Sequence, residues 1–215
     1  MIKLVIFDLD GVLLDTEQFN LISKIEEAHK LGFDLKKEDV CNSFGLCAEE
    51  ANKYFKEKYG EEFDYYKIKG KRIKYILDYM SNYGIPFKSG AESIVQYLKN
   101  KEIFIAIATT TPREFINEYL KYDTSNFFNK FDLIITGDEV EKGKPNPDIF
   151  LKCCNGLKIG KNDCIVVEDS LAGIRACKAG NIKSIFIEDL IPLSDELKTD
   201  ATFILNNLEE IKGII

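Results

Sequence analysis

The chain has 215 residues and a formal net charge of −7, with 45% hydrophobic and 12% aromatic residues. This length and composition predict a soluble globular protein with one sizeable core and room for a smaller appendage. An acidic chain disfavours a nucleic-acid partner, which needs a basic surface, but it leaves small phosphorylated ligands open.

The predicted elements begin with an apolar strand at 4–10 (LVIFDLD), after which no buried-strand pattern appears from about 17 to 83. Helical patterns cover 17–31, 47–59 and 68–83, with turn signals at Gly32, Gly45, Gly60 and Gly84. Because this segment follows a strand that ends in two carboxylates, we expect 17–83 to form a helical cap over that strand end.

Strands and helices alternate regularly after this insertion. The apolar runs lie at 103–111, 133–138, 164–169 and 184–189, and the helical patterns at 91–100, 112–122, 147–157 and 170–179. Runs of consecutive Val and Ile are typical of strands buried on both faces, as in parallel sheets. We therefore predict an α/β fold, a doubly wound parallel sheet with a Rossmann-like core formed by 1–16 and 84–215, and an inserted all-helical cap at 17–83.

The strand ends carry a set of acidic residues. Asp8 and Asp10 end the first run, and Glu168 and Asp169 end the fourth. Carboxylates in one pocket repel each other by roughly 3–4 kcal/mol per close pair at an effective dielectric near 20. A bound cation resolves this repulsion, and oxygen ligands without histidine or cysteine favour Mg²⁺.

Two further positions predict a phosphate site. Thr109 ends the second run with Thr110 beside it, and Lys144 lies in the loop EKGKPNPD. A hydroxyl, backbone N–H groups and a permanent positive charge match the oxygens of a phosphoryl group. Each residue also has a purely structural alternative, because Thr109 to Thr111 can cap the next helix and Lys144 can be a solvated loop lysine.

The motifs carry a family resemblance. They are DLDGVLLDT at 8–16, Thr109 after IAIA, Lys144 in GKPNPD and VEDSLAGIRACKAG at 167–180. In this order the four motifs resemble those of the haloacid dehalogenase superfamily, in the branch of β-phosphoglucomutase and small phosphomonoester phosphatases. The resemblance covers essentially the full chain, and the helical insertion resembles the cap domain of that branch.

The resemblance implies a two-step phosphoryl transfer. Asp8 would be the nucleophile that forms an aspartyl phosphate, and Asp10 the general acid and base. Asp8, Asp10 through its carbonyl oxygen, and Asp169 would bind Mg²⁺, with Glu168 either a direct ligand or one shell further out. The resemblance also implies that Thr109, Thr110 and Lys144 bind the phosphoryl oxygens. Gly11 would permit a close approach of the backbone to the transferring phosphoryl group.

Three hypotheses for function follow. The first is a Mg²⁺-dependent phosphatase, a phosphoric monoester hydrolase that acts on a small phosphorylated metabolite such as a sugar phosphate. The second is a phosphomutase, but Asn20 stands where the mutase has a cap histidine, and FGLCAEE at 44–50 lacks its arginine. The third is a receiver-like phospho-accepting signalling domain, which the DxD spacing and the inserted helices disfavour.

The basic residues of the cap leave two interpretations. Lys67, Lys69, Lys71, Arg72 and Lys74 follow one another closely. We expect a solvated helix face and keep, as the alternative, that Lys71 or Arg72 reaches the active site.

The cysteines and the histidine give information on metal binding and on the cellular compartment. The six cysteines form no CxxC pair, and the only histidine, His29, is expected at the surface, so a zinc site has almost no support. The first thirty residues lack a signal-peptide pattern, and no run approaches the roughly 20 apolar residues of a membrane span. We expect a cytoplasmic monomer without a membrane partner, with buried or half-buried cysteines.

Overall fold

The computed structural model describes residues 1–43 and 48–215. Gly45, Cys47 and the first part of the segment FGLCAEE lie outside the described residues, so the turn and the arginine comparison placed there stay predictions. Within the described residues, no helix is long and apolar enough to cross a membrane.

The core is a parallel sheet in the described part of the chain. Its strands are β1 (Leu4–Phe7), β2 (Phe104–Thr109), β3 (Leu133–Thr136), β4 (Cys164–Glu168), β5 (Lys183–Ile187) and β6 (Phe203–Leu205). Their order is β3-β2-β1-β4-β5-β6, with every neighbouring pair parallel. The predicted α/β fold with a doubly wound parallel sheet is confirmed, and β1 lies between β2 and β4 rather than next to β3, as it would in a flavodoxin-like order.

Helices connect the strands and form the insertion. They are α1 (Glu17–Lys30), α2 (Lys37–Asn42), α3 (Ala48–Tyr59), α4 (Tyr65–Ile68), α5 (Arg72–Tyr83), α6 (Ala91–Asn100), α7 (Arg113–Leu120), α8 (Asp148–Gly156), α9 (Leu171–Gly180) and α10 (Asp195–Asp200). The helix predicted over 68–83 begins later, at Arg72, because α4 ends at Ile68 and Gly70 between the two helices adopts φ +79°. Ser170 caps α9, since its side chain accepts a hydrogen bond from the Gly173 N–H.

The sheet is buried on both faces. Alternate residues of β1 supply the two sides, Val5 and Phe7 to one apolar cluster and Leu4 and Ile6 to the other. This arrangement explains the unbroken apolar runs, because no face of the central strands meets water.

The inserted helices have an apolar cluster of their own, built around Phe55 and Phe63. Ile76 and Met80 of α5 pack instead with the cluster beneath the sheet, so α5 joins the insertion to the core. The division into a core of 1–16 and 84–215 and a cap of 17–83 stays a prediction.

The two chain connections to the insertion run side by side. The Asp15 N–H donates to the Pro86 carbonyl at 2.7 Å, and the Lys88 N–H donates to the Leu13 carbonyl at 2.9 Å. Leu14 and Phe87 form an antiparallel bridge between these contacts. The insertion therefore leaves and re-enters the core at one place.

The cysteines and the histidine lie largely where the sequence predicts. Four of the described cysteines are buried, Cys41 is half-buried, and these five are free thiols. His29 is exposed on α1.

Candidate active site

The residues predicted at the strand ends lie together at the carboxyl edge of the sheet. Asp8 directly follows β1, Thr109 ends β2 and Glu168 ends β4. These ends are adjacent because β1 lies between β2 and β4. Lys144 reaches them from the loop between β3 and α8. In open α/β sheets this edge is where ligands bind.

Lys144 is a buried cation in the middle of this edge. Its Nζ donates to a carboxylate oxygen of Asp8, to Glu168 Oε1 at 2.5 Å and to the Ala108 carbonyl at 3.2 Å. The side chain is only 5% exposed. Burial alone would lower the pKa of this lysine, but the charges of Asp8 and Glu168 raise it above its usual value. Lys144 therefore stays charged beside Asp8.

Asp8 and Asp169 are buried carboxyls with perturbed acidity. Burial is the largest influence on Asp8 and raises its pKa, while the charge of Lys144 acts in the opposite direction. Burial also raises the pKa of Asp169 well above its usual value, and the charges of Glu168 and Asp8 add to this effect. The protein's own cations thus leave negative charge at this edge incompletely balanced.

Glu168 is fully buried and held by its own loop. Its Oε2 accepts hydrogen bonds from the Asp169 and Ser170 N–H groups, both at 3.1 Å, and from the Ser170 hydroxyl at 2.8 Å. A Cβ at Gly173 would lie 2.0 Å from this carboxylate, so only glycine leaves it room. Both oxygens of Glu168 therefore have protein partners.

Gly11 lies against Asp169. It adopts φ +86°, and a Cβ at this position would be 2.1 Å from Asp169 Oδ2. A glycine is required for both reasons, since a side chain would be strained and would displace the carboxylate. The close approach that the sequence predicts is thus to an acidic side chain.

The carboxyl of Asp10 is turned toward hydrogen-bond donors. Oδ1 accepts from the Thr16 hydroxyl at 2.5 Å, and Oδ2 accepts from the Thr111 hydroxyl at 2.6 Å. Arg72 NH2 is 3.4 Å from the same Oδ2 and donates to the Thr111 hydroxyl at 3.0 Å.

Arg72 comes from the first turn of α5, so an inserted helix reaches the core. Its NH1 donates to Glu17 Oε1 at 2.9 Å in addition to the contact with Asp10. Lys67, Lys69, Lys71 and Lys74 are all exposed, as expected of a solvated face. Of the five basic residues, Arg72 therefore lies at the site, whereas the four lysines form a solvated surface.

The three threonines after β2 have different surroundings. Thr109 is buried, and its hydroxyl accepts a hydrogen bond from the Thr111 N–H at 3.1 Å. Thr110 is exposed and lines the cavity above the strand ends. None of the three caps α7 with its side chain, since Pro112 occupies the cap position.

A cavity of about 220 Å³ opens above these residues. Its walls come from the strand ends, from α1 and α5, and from the loop after β5. The lining residues are Asp8, Asp10, Glu17, Asn20, Arg72, Thr110, Lys144, Asp169, Ser170, Ala172, Leu190 and Ile191. A polar pocket of this size between core and insertion matches a small charged ligand.

The donor set of this edge fits a divalent cation. Over 1–43 and 48–215, no group of three or more His, Cys, Asp or Glu side chains is already arranged as a metal site. The charges near the cavity nevertheless include six carboxylates and three cations: Asp8, Asp10, Glu17, Glu168, Asp169 and Asp189 against Lys88, Lys144 and Arg72. One buried oxygen, Asp189 Oδ2, has no hydrogen-bond partner. Uncompensated carboxylate oxygens are the ligands that Mg²⁺ prefers.

Several residues at the site were not singled out from the sequence. Thr16 and Thr111 contact Asp10, and Asp189 lies near Asp169. A signal existed for Asp189, because the run at 184–189 also ends in acidic residues. Arg72 is one of the two residues that the alternative interpretation of the basic segment places at the active site, and its contact with Asp10 agrees with that alternative.

The fold and the site agree with one family of hydrolases. The family model described as "Haloacid dehalogenase-like hydrolase" matches residues 5–187. The chain belongs to this family, which confirms the resemblance inferred from the four motifs.

Individual relatives support the same class. The chain is 37% identical over 123 residues to the bifunctional riboflavin kinase/FMN phosphatase of Arabidopsis thaliana, a match that covers 57% of this chain and 32% of that protein. It is 28% identical to the phosphorylated carbohydrates phosphatase of Thermotoga maritima, with 85% and 83% covered. The crystal structure of β-phosphoglucomutase from Clostridium difficile is 26% identical, with a TM-score of 0.72 and 99% and 96% covered. The names of these proteins support the predicted phosphoric monoester hydrolase.

Proposed function

We propose that the protein is a Mg²⁺-dependent phosphatase that hydrolyses a small phosphorylated metabolite through an aspartyl phosphate. The observation that carries this proposal is the buried pair of Asp8 and Lys144, which faces a small polar cavity beside Asp10 and Asp169. The similarity to named phosphatases over most of the chain supports it. A sugar phosphate is the favoured substrate class, because relatives of this kind include a phosphatase of phosphorylated carbohydrates.

The first step transfers the phosphoryl group to the protein. A carboxylate oxygen of Asp8 attacks phosphorus, the bond from phosphorus to the ester oxygen breaks, and the alkoxide leaves. Asp10 donates a proton to that alkoxide. Lys144, Thr109 and Thr110 bind the phosphoryl oxygens, the lysine through its charge and the threonines through hydroxyl and backbone N–H groups, and Lys144 also orients Asp8. The Thr109 hydroxyl also supports this loop, because it accepts a hydrogen bond from the Thr111 N–H.

The second step releases phosphate. A water molecule attacks phosphorus of the aspartyl phosphate while Asp10 takes its proton, and the carboxylate of Asp8 is regenerated. The two steps use Asp10 in opposite directions, first as acid and then as base. In the structure Asp10 contacts Thr16, Thr111 and Arg72, so the reaction requires it to exchange some of these contacts for the substrate.

Asp8, Asp169 and the carbonyl oxygen of Asp10 are the proposed ligands of Mg²⁺, and Glu168 acts through Lys144 and its own loop. When bound, the ion would neutralise the charge of the transferring phosphoryl group. Because Gly11 has no side chain, the backbone lies close to Asp169 and leaves room for the ion and the phosphoryl group.

A phosphomutase is the second candidate, favoured by the similarity to β-phosphoglucomutase. Hydrolysis is preferred because Asn20 lines the cavity where the mutase carries a histidine. The Asn20 amide donates to Glu17 Oε2 at 3.0 Å, and an amide cannot transfer protons as an imidazole does.

Free thiols in the core support a reducing, cytoplasmic location, and we propose a monomer.

Replacing Asp8 with asparagine tests this function. The variant should fold and lose several orders of magnitude in kcat, as expected when a covalent nucleophile is removed. Phosphate release from a panel of phosphomonoesters that includes hexose phosphates measures this loss. Activity within tenfold of the wild type would refute the mechanism. Conversion of one hexose phosphate isomer into another without phosphate release would show a mutase instead.

A further inference from the structure

Asp189, in the loop after β5, is a buried carboxylate with one unused oxygen. Its side chain is 8% exposed, and Oδ1 accepts a hydrogen bond from Lys88 Nζ at 2.6 Å. Oδ2 is inaccessible to solvent and has no hydrogen-bond partner. A buried acceptor without a donor is costly, and more so when it is charged, so this oxygen is an unusual feature.

The unused oxygen lies near Asp169, beside the Cβ position of Gly11. The position that a Cβ would occupy at Gly11 is 2.1 Å from Asp169 Oδ2 and 3.2 Å from Asp189 Oδ2. Two carboxylate oxygens thus lie within 3.2 Å of one point beside the Gly11 backbone. Such a pair requires hydrogen-bond donors or positive charge from outside the protein.

The loop that carries Asp189 is fixed on both sides. Lys88 lies on the chain that returns from the insertion and is 3.9 Å from Asp15 on the outgoing chain. Leu190 packs against the apolar cluster of the inserted helices. These contacts hold the carboxylate in one orientation, which is the condition for a residue that positions another group.

We propose that Asp189 is a positioning residue of the cation site, whose Oδ2 accepts a hydrogen bond from water bound to the ion. This inference rests on the proposed function, which gives Asp169 to Mg²⁺. Mg²⁺ retains several of its waters in proteins, and those waters are donors that match an unused carboxylate oxygen. Lys88 holds the other oxygen and so fixes the direction of the first, as partners outside the ligand set do for metal sites.

The test is a calorimetric titration of Mg²⁺ into the full chain after treatment with EDTA. Asp189→Asn keeps the shape of the side chain and is expected to raise the dissociation constant of Mg²⁺ by about 10- to 100-fold. Glu188→Gln is the matched control, because it removes the same charge from the adjacent, exposed residue of this loop. The control should bind Mg²⁺ like the wild type.

Further variants separate this inference from the proposed function. Asp169→Asn should abolish Mg²⁺ binding. If it does while Asp189→Asn binds like Glu188→Gln, the inference fails and the proposed function stands. If the wild type binds no Mg²⁺, or Asp169→Asn binds it normally, the cation site itself is refuted, and the inference with it.

Folding is checked by circular dichroism without Mg²⁺. Should Asp189→Asn not fold, Asp189→Glu replaces it, since this variant retains the charge but moves the oxygen that lies near Asp169. The expected result is again weaker Mg²⁺ binding. Wild-type affinity in this variant would show that only the charge of Asp189 matters, which overturns a positioning role.

Discussion

Replacing Lys144 with methionine removes the buried positive charge and retains most of the apolar stem. In the wild type this charge contacts Asp8 and Glu168, which are themselves buried. Removing one partner of a buried ion pair typically lowers the free energy of unfolding by about 3–5 kcal/mol, because the remaining charge is left unpaired. For a chain of this size, that loss lowers Tm by roughly 6–20 °C.

The assay is urea denaturation at pH 7 with EDTA, followed by circular dichroism. Lys142→Met is the control, since Lys142 is exposed in the same loop and its removal changes the net charge equally. Surface charges of this kind are worth about 1 kcal/mol or less. A Lys144→Met variant within about 1 kcal/mol of Lys142→Met would refute the conclusion that this lysine neutralises the buried carboxylates.

Three other outcomes are expected. Arg72→Gln should lower kcat/KM at least tenfold, because Arg72 contacts Asp10 and Glu17, whereas Lys71→Gln at the exposed neighbouring position should leave kcat/KM unchanged; equal values for both variants would contradict this. Gly11→Ala should lower the free energy of unfolding by more than Gly32→Ala. Alanine at either position costs about 1–2 kcal/mol because φ is positive, but only at Gly11 does the new Cβ also meet Asp169. Equal losses in the two variants would count against the close approach of Gly11 to Asp169. Asp39→Asn should destabilise the protein at pH 7, because hydrogen bonds from Lys58 and Tyr59 lower the pKa of Asp39. A lowered pKa stabilises the folded state above pH 3.8, and this contribution is lost as the pH falls below that value, so the deficit measured by urea denaturation should shrink in acid; a deficit independent of pH would be the contrary result.

The sheet could be predicted where a strand is buried on both faces. Five apolar runs correspond to β1 to β5, although each strand is shorter than its run at the polar end. β6 gave no such signal, because its apolar run is only the three residues Phe203–Leu205. The six-residue helices α2 and α10 were missed for a related reason, since helices this short contain too few turns for a clear apolar stripe.

At the site, the sequence predicted the positions that a strand end determines by itself. Asp8, Thr109 and Glu168 come together because parallel strands end at the same edge. The direction in which a side chain turns is a different matter. The contacts of Asp10 depend on Arg72, 62 residues away along the chain, and no local pattern encodes that distance.

The paired connections at Leu13 to Asp15 and Pro86 to Lys88 also bear on how such a protein can diversify. Because both ends of the insertion meet at a single bridge, the intervening helices can be exchanged for others without altering any strand of the sheet. An exchanged segment has to supply apolar side chains where Phe19 and Met80 now cover the core. It also has to replace Arg72 as a partner of Asp10, so an exchange of the inserted helices would reach the chemistry at the strand ends through this contact.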